Sequence, residues 1–358
     1  MSRPESRSRG DRRRSDRRQP VSRRVFLGLG LTGAAALLAP LSSSTRAHAA
    51  PPRPPVKPPR LEPGDTVGLI NPARIPPRPD DLDYITEHLR ALDLRVRPAP
   101  RLLDAAATDE HRAQDINDLF AQADVKALLP LRGGWGSAGV LPFLDYELAR
   151  ANPKIVMGYS DVVALLLALH ARAGLVTFHG PVGVSRWEPF TVECLKHVLF
   201  EGQQALICNP GADDRPNPVR TLVPGRATAP LTGGNLTVLS SLIGSPYLAY
   251  DDAIVFVEEV QEPVSEVDRM LMQLDQAGLL QRARGFVFGQ CTGCMQSGLD
   301  MSLTLDRVLD ERIKPLGIPA WSGAAFGHIE RQFVLPIGVP AEIDAEHGTI
   351  RLTEPAVV

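Results

Sequence analysis

The chain has 358 residues, enough for two domains of ordinary size, and its apolar fraction of 44% is that of a globular protein. Its formal net charge of −2 is unevenly distributed, because residues 1–49 hold eleven arginines and three acidic residues. The remainder has 28 basic and 38 acidic residues, a net charge of −10, which disfavours a nucleic acid partner.

Residues 1–49 have the order of a secretory signal. A basic stretch precedes an uncharged apolar run, Val25–Pro40, and Ala47-His48-Ala49 follows as a small-residue cleavage site. The apolar run is shorter than the ~20 residues that a spanning helix needs. Ser22-Arg-Arg-Val-Phe-Leu-Gly28 matches the twin-arginine pattern. We therefore expect export of the folded protein to the periplasm or cell exterior, without stable membrane insertion after cleavage; an uncleaved anchor or a basic nucleic-acid arm is the alternative.

The next segment, residues 50–60, is a proline-rich spacer, and the fold is expected to start near Leu61. A first domain is expected over residues 61–204. Its predicted elements are a strand at 64–70, a helix at 80–92, a strand at 94–97, a helix at 108–123, strands at 125–131 and 154–157 and a helix at 161–171. Strands that alternate with helices predict a parallel α/β sheet covered on both faces.

Residues 205–230 are rich in proline, glycine and aspartate, which predicts a connection between domains. A second, smaller α/β domain is expected over residues 231–358. Its predicted elements are a helix at 236–243, a strand at 253–257, a helix at 264–277, a strand at 285–288, a helix at 303–316 and short strands at 341–343 and 349–352.

Four cysteines are too few for a disulfide scaffold in a chain of this length. Cys291-Thr-Gly-Cys294 follows a predicted strand and provides half of a zinc site. One interpretation is a redox pair. The other is that these are two small residues at a strand end, which could oxidise to each other outside the cell. The remaining two are Cys194 and Cys208.

Lys154-Ile-Val-Met-Gly-Tyr-Ser-Asp161 is the sharpest local feature of the sequence. An apolar strand ends at Gly158, Ser160 follows two residues later, and a helix begins at once, as in a nucleophile elbow. The helix N-terminus directs free N–H groups at a developing oxyanion. Val162 replaces the last glycine of the usual pattern, so an ordinary helix cap at Ser160 is the competing interpretation.

Leu131-Arg-Gly-Gly-Trp-Gly136 comes directly after another predicted strand. Its glycines allow backbone N–H groups to approach a ligand closely. No Lys-Ser/Thr pair follows, which excludes a Walker phosphate loop. Phosphate binding of another kind and an oxyanion-hole loop beside Ser160 both remain open.

A nucleophilic serine needs a general base and an acid that orients the base. Glu258 ends a predicted buried strand, at the sheet edge where α/β sites are built. His328 lies beside a glycine in a loop. A surface carboxylate and an ordinary loop histidine are the simpler interpretations. The absence of His-Glu-x-x-His disfavours a zinc peptidase, and we predict neither a metal nor another cofactor.

Several motifs in a fixed order resemble the LD-carboxypeptidase family of serine peptidases, which also includes microcin-immunity peptidases. Arg112 and Asp115 on the preceding helix fit the same pattern. The resemblance extends from about residue 61 to the C-terminus. Its motifs are Arg132-Gly-Gly-Trp-Gly136, Gly158-Tyr-Ser-Asp161, Phe178-His-Gly-Pro181, Gly233-Gly-Asn-Leu236, Val257-Glu-Glu259, and Phe326-Gly-His328 with Leu335-Pro-Ile-Gly338.

The resemblance implies an N-terminal parallel-sheet domain of the class I glutamine-amidotransferase type and a smaller C-terminal α/β domain. It makes Ser160 the nucleophile, Glu258 the triad acid and His328 the base. The backbone N–H groups of Gly134 and Asp161 would form the oxyanion hole. The segment 131–136 is the glycine loop, and its residues Arg132, Gly133, Trp135 and Gly136 are expected to bind substrate.

The implied reaction is hydrolysis of an L,D-peptide bond that releases terminal D-alanine from a peptidoglycan tetrapeptide. The resemblance also implies a homodimer. A microcin-type peptide-adenylate amidase and a non-catalytic binder of wall peptides are the alternatives. Trp135 stands where tyrosine is usual in the family, and a twin-arginine signal is unusual beside its cytoplasmic members.

Overall fold

The fold is known from a computed structural model that describes residues 53–75, 78–210, 218–249, 251–295 and 302–358. The predicted signal, residues 1–49, lies outside the described residues. Two β-sheets, one of six strands and one of eight, organise the described chain. The predicted α/β fold, with an N-terminal parallel-sheet domain and a C-terminal α/β domain, is confirmed.

The first sheet has the strand order β12-β5-β4-β3-β1-β2. Its first five strands in the sequence are parallel. Every residue of β1 is buried, as expected for a strand with helices on both faces. The strands are β1 Thr66–Ile70, β2 Arg95–Pro98, β3 Val125–Pro130, β4 Ile155–Gly158, β5 Thr177–His179 and the antiparallel edge strand β12 Leu335–Ile337.

Five helices accompany the first sheet, and one of them is apolar on nearly all sides. α4 buries eight of its eleven residues because it packs against the first sheet and also against β8 and α6 of the second half. This helix begins just after Ser160. The helices are α1 Pro79–Arg90, α2 Asp109–Ala121, α3 Tyr146–Ala151, α4 Val163–Ala173 and α5 Pro189–Leu195.

The second sheet has the order β6-β14-β13-β8-β9-β10-β11-β7 and a parallel centre from β8 to β11. Its strands are β6 Leu206–Cys208, β7 Arg220–Val223, β8 Arg226–Asn235, β9 Ile254–Val260, β10 Gly285–Thr292, β11 Ala320–Ser322, β13 Pro340–Asp344 and β14 Thr349–Leu352. The accompanying helices are α6 Leu236–Ser241, α7 Val264–Gln276 and α8 Leu305–Arg312. Within the described ranges every helix is too short or too polar to span a bilayer.

The segment 205–230, expected from its composition to connect two domains, contains β6, β7 and the start of β8. β6 and β7 are the two edge strands of the second sheet. Proline and exposed polar residues are tolerated at sheet edges, because an edge strand leaves one side of its backbone unpaired. The segment 205–230 therefore has the composition of a loop although it contains two edge strands.

The proline-rich segment also lies on the fold from residue 53 onward. Val56 donates its N–H to Gly174 and accepts from Val176, at 2.8 and 2.9 Å. Pro58 is buried and its carbonyl accepts from the N–H of Val358 at 3.0 Å. The fold thus starts earlier than Leu61, where the sequence analysis placed it.

Cys291 and Cys294 are joined by a disulfide at the end of β10. Cys194 and Cys208 are free thiols. Among the described residues, no group of histidine, cysteine and acidic side chains is arranged to hold a metal ion.

Candidate active site

Ser160 lies on a tight turn between β4 and α4. The backbone of Ser160 has a φ of 62°, in the left-handed region that non-glycine residues rarely occupy. A Cβ at Gly158 would lie 2.6 Å from Val162 Cγ1, so only glycine allows the chain to turn back this closely. Ser160 begins a short 3₁₀ turn, Ser160–Val162, and α4 follows directly. The structure therefore has the strained strand–turn–helix geometry that the sequence predicts.

Glu258 and His328 reach Ser160 from the second sheet and its loops. His328 Nε2 lies 3.0 Å from Ser160 Oγ, and His328 Nδ1 lies 2.8 Å from Glu258 Oε2. Because a carboxylate can only accept, Nδ1–H donates to Glu258 and Nε2 is left to accept from the serine hydroxyl. Three residues from two halves of the chain form one hydrogen-bonded series.

The series passes from the interior to the surface. The side chain of Glu258 is completely buried, and that of His328 is 19% exposed. Glu258 Oε1 has no hydrogen-bond partner among the described residues, so His328 is the main neighbour that compensates the carboxylate. The buried carboxylate therefore fixes the orientation and the tautomer of the His328 ring.

The loop that carries His328 is fixed at several points. Its backbone is closed by Phe333 N–H donating to Ala325 O at 2.7 Å, and Gln290 N–H donates to Phe326 O at 3.1 Å. A Cβ at Gly327, where φ is 113°, would lie 2.7 Å from Glu258 Oε2. Glycine at this position lets the loop approach the carboxylate closely enough for the neighbouring histidine to bind it.

The glycine loop lies directly against the serine. A Cβ at Gly133 would lie 2.9 Å from Ser160 Cβ and 3.1 Å from its Oγ. Gly134 and Gly136 have φ values of 139° and 98°, which favour glycine. The carboxylate of Asp161 accepts from the backbone N–H and the hydroxyl of Ser137, at 2.8 and 2.6 Å. Asp161 therefore ties the end of the glycine loop to the turn that carries Ser160.

Arg132 and Trp135 contact other parts of the first domain. Arg132 Nη1 lies 3.9 Å from Asp81 Oδ2. The indole of Trp135 is 61% exposed, and the guanidinium of Arg74 stacks on it at 5.4 Å. The structure thus brings Ser160, Glu258, His328, Gly133 and Asp161 together, and places Arg132 and Trp135 at the border of that group.

Comparison with known proteins identifies the family. The model of the LD-carboxypeptidase N-terminal domain matches residues 67–180, and that of the LD-carboxypeptidase C-terminal domain matches residues 228–343. A relative from Bacillus subtilis named "Probable murein peptide carboxypeptidase" is 35% identical over 303 residues, which cover 82% of this chain and 93% of the relative. The chain belongs to the LD-carboxypeptidase family.

Solved structures of this family have the same fold. The microcin C7 self-immunity protein MccF in complex with aspartyl sulfamoyl adenosine is 25% identical, with a TM-score of 0.77, over 85% of this chain and 100% of that one. The muramoyltetrapeptide carboxypeptidase from Oxalobacter formigenes is 27% identical, with a TM-score of 0.70, over 80% and 97%. By its family this LD-carboxypeptidase is a serine-type peptidase.

The two adjacent glutamates of the Val-Glu-Glu motif have different surroundings in this LD-carboxypeptidase. Glu259 accepts from Asn235 Nδ2, from both the N–H and hydroxyl of Thr237, and from the N–H of Val260. These bonds hold the start of α6, and burial raises the pKa of Glu259. Side chains alternate along β9, so Glu258 points the other way, toward His328.

Two side chains near the site were not singled out from the sequence. Ser137, which binds Asp161, follows the glycine loop and has no distinctive pattern around it. His179 belongs to the Phe-His-Gly-Pro motif and is completely buried. Its ring packs edge to face near Tyr159, Phe256 and Phe326, at centroid distances of 6.3, 5.5 and 5.7 Å. Because these residues precede Ser160, Glu258 and His328 by one or two positions, the ring of His179 joins the three segments.

Burial also sets the protonation of His179. It lowers the pKa of this imidazole to about 4, with the nearby Glu258 opposing the shift and His328 adding to it. Tyr159, whose ring lies 4.9 Å from that of His328, has a pKa raised by burial. Both groups are therefore neutral at neutral pH, and Tyr159 places an uncharged ring against His328.

Proposed function

We propose that the protein is an exported serine carboxypeptidase that cleaves an L,D-peptide bond and releases terminal D-alanine from peptidoglycan tetrapeptides. The observation that carries the proposal is the hydrogen-bonded series from Ser160 through His328 to Glu258. Relatives and structural neighbours named for murein peptide and muramoyltetrapeptide carboxypeptidases support the substrate class.

In the first half of the reaction His328 Nε2 takes the proton of Ser160 as Oγ bonds to the scissile carbonyl carbon. Glu258 stabilises the resulting imidazolium. Backbone N–H groups of the glycine loop and of Asp161 would hold the negative oxygen, at the positively polarised start of the helix behind Ser160. His328 then gives its proton to the nitrogen of D-alanine as the carbon–nitrogen bond breaks, which leaves an ester on Ser160.

In the second half water attacks the ester carbon and gives a proton to His328. The carbon–oxygen bond to Ser160 breaks, Oγ recovers the proton from His328, and the shortened peptide leaves with a new carboxylate. The net reaction consumes one water and needs no cofactor.

The decisive experiment is hydrolysis of a tetrapeptide that ends in D-alanine, with release of D-alanine measured. Ser160→Ala should abolish turnover and leave the melting temperature within a few degrees of the wild type. Glu258→Gln should lower kcat by about 10³- to 10⁴-fold, because the orienting anion is lost. Comparable D-alanine release by Ser160→Ala would end the proposal. A fluorophosphonate that fails to label Ser160 would instead favour a non-catalytic binder.

The likeness to MccF bound to aspartyl sulfamoyl adenosine supports a second candidate, an amidase that cleaves peptide-adenylate analogues. The same proteins are assayed with an acyl-sulfamoyl nucleoside. Faster cleavage of that compound than of the tetrapeptide would make the amidase the better assignment.

The export part of the proposal rests on Arg23 and Arg24 within the twin-arginine pattern. Replacing both with lysine should keep the full chain in the cytoplasm, as measured by cell fractionation. Replacing Arg17 and Arg18 with lysine is the matched control and should leave export intact. Equal export of both variants would contradict the twin-arginine route.

A further inference from the structure

A polar cavity of about 240 Å³ lies beside the glycine loop, on the side away from β4. Its wall includes Asn71 and Arg74 from the loop after β1, Asp104 from the loop after β2, Arg112 from α2, and Trp135. These loops follow the carboxyl ends of parallel strands, the same edge of the sheet at which Ser160 lies.

The cavity is within reach of a substrate held at Ser160. Gly133 contacts Ser160, and Trp135 follows only two residues later. Two residues of extended chain span at most about 7 Å. A bound peptide that runs along the loop therefore needs about two residues to extend from Ser160 into the cavity.

Two arginines of the cavity wall are paired with the same carboxylate. Arg74 Nη2 lies 2.7 Å from both carboxylate oxygens of Asp109, and Arg112 Nη2 donates to the same Asp109. Two guanidinium groups thus share the carboxylate of Asp109, and the carboxylate of Asp104 brings the sum of these four formal charges to zero. Asp104 also lines the cavity, and one of its oxygens accepts from the N–H of Ala106 at 2.9 Å.

The wall also contains polar atoms without partners. Arg112 is 5% exposed, and its Nε has no hydrogen-bond partner among the described residues. Asn71 Oδ1 is also buried, and it has no hydrogen-bond partner within the ranges that the structure describes. Both atoms are almost fully buried, so a ligand in the cavity would meet other polar atoms of the wall. The side chain of Arg74 remains 46% exposed, which leaves its other N–H groups accessible.

We propose that this cavity binds a carboxylate of the peptide substrate, through Arg74 and with Trp135 as the apolar wall beside it. This inference rests on the proposed carboxypeptidase function and specifies a group that it recognises. Guanidinium binds carboxylate with two parallel hydrogen bonds, which gives direction as well as affinity. The carboxylate has two sources, the terminal D-alanine and the side chain of a diaminopimelate residue.

The test measures binding in the Ser160→Ala background, so that it does not depend on turnover. Three peptides are titrated by calorimetry: the diaminopimelate tetrapeptide ending in D-alanine, the same peptide with lysine in place of diaminopimelate, and the first peptide ending in D-alaninamide. Arg74→Met removes the charge and keeps a long side chain on Trp135. Arg101→Met is the control, because Arg101 pairs with Asp115 at 2.7 Å, is 37% exposed and does not line the cavity.

Arg74→Met should raise Kd of the diaminopimelate tetrapeptide about 10- to 100-fold, the usual loss for a hydrogen bond between charged groups, and Arg101→Met should leave it unchanged. If Arg74→Met leaves the Kd of the amide peptide unchanged, the cavity binds the terminal carboxylate. If Arg74→Met leaves the Kd of the lysine peptide unchanged, the cavity binds the side-chain carboxylate of diaminopimelate. Arg74→Lys keeps the charge and should lose less affinity than Arg74→Met.

Equal weakening of all three peptides by Arg74→Met, no weakening of any, or no peptide binding to Ser160→Ala would each overturn the inference. Turnover by the wild type is measured in parallel. Carboxylate-dependent binding without turnover would reject the proposed activity and retain the site. Turnover that Arg74→Met does not affect would reject the site and retain the activity.

Discussion

The backbone of Ser160 is strained, because a side chain at a φ of 62° meets its own peptide groups. Ser160→Gly and Ser160→Ala both remove the hydroxyl, but only glycine relaxes the turn. We expect the glycine variant to be more stable than the alanine variant by about 1 kcal/mol, measured by urea unfolding. Equal stability would mean that the turn carries no strain.

His179 is neutral and buried against aromatic rings, which links its protonation to folding. An unfolded histidine has a pKa near 6.5, above the folded value of about 4. Between these values the unfolded chain binds more protons, so stability is full above pH 6.5 and falls as the pH falls toward 4.

His179→Leu removes that linkage. The wild type should lose about 2 kcal/mol more stability than the variant between pH 7 and pH 5, as measured by denaturant unfolding at each pH. Because the comparison is between slopes, a uniform loss of stability in the variant does not affect it. Parallel pH profiles for the two proteins would show that the pKa of His179 is the same in the folded and the unfolded chain.

At the scale of elements, the glycine loop and the Ser160 turn must keep a fixed separation. A methyl group at Gly133 would lie within 3.1 Å of Ser160 Cβ and Oγ and would displace one of them. Gly133→Ala should therefore lower kcat/KM by about 10²-fold, the effect expected for a displacement of roughly 1 Å at a reacting group. Gly180→Ala is the control, since its methyl group would approach mainly the flexible end of Met157. Similar losses in both variants would point to a general packing defect.

The sequence predicts those elements best whose pattern is long or sharply bounded. β4, the Ser160 turn and α4 follow from an apolar run, a glycine and a second apolar run. β5 and β12 have only three residues each and were not predicted, because so short a run has no measurable period. β8 was hidden by Gly233 and Gly234, whose φ values of 143° and 135° are unusual for a strand.

At the scale of the whole molecule, the site requires both sheets. Ser160 follows β4 of the first sheet, whereas Glu258 lies on β9 of the second. Local sequence patterns could identify Ser160 and His328 as candidates. They could not predict that these two residues, 168 positions apart, are in contact. The family resemblance supplied that pairing, and the hydrogen bonds of His328 are consistent with it. The cavity at Arg74 was not predicted, because loops from three strands form it.

Residues 53–60 join two distant parts of the fold. Val56 pairs with the segment Gly174–Val176, and Pro58 and Arg60 pair with Val358 at the other end of the chain. Four backbone hydrogen bonds are involved, each with a net value of about 0.5–1.5 kcal/mol. A chain that begins at Leu61 should therefore be less stable by about 2 to 6 kcal/mol than one that begins at Ala50, measured by urea unfolding.

Two ion pairs that join this segment to distant residues provide the control. Arg53 pairs with Glu147 and Lys57 with Glu354, at 2.6 and 2.9 Å, and all four side chains are partly or largely exposed. Replacing Arg53 and Lys57 with alanine in the longer chain should cost less than about 1 kcal/mol per pair, because exposed ion pairs contribute little. If the chain from Leu61 were as stable as the chain from Ala50, residues 53–60 would be a spacer after all, and the fold would start where the sequence analysis placed it.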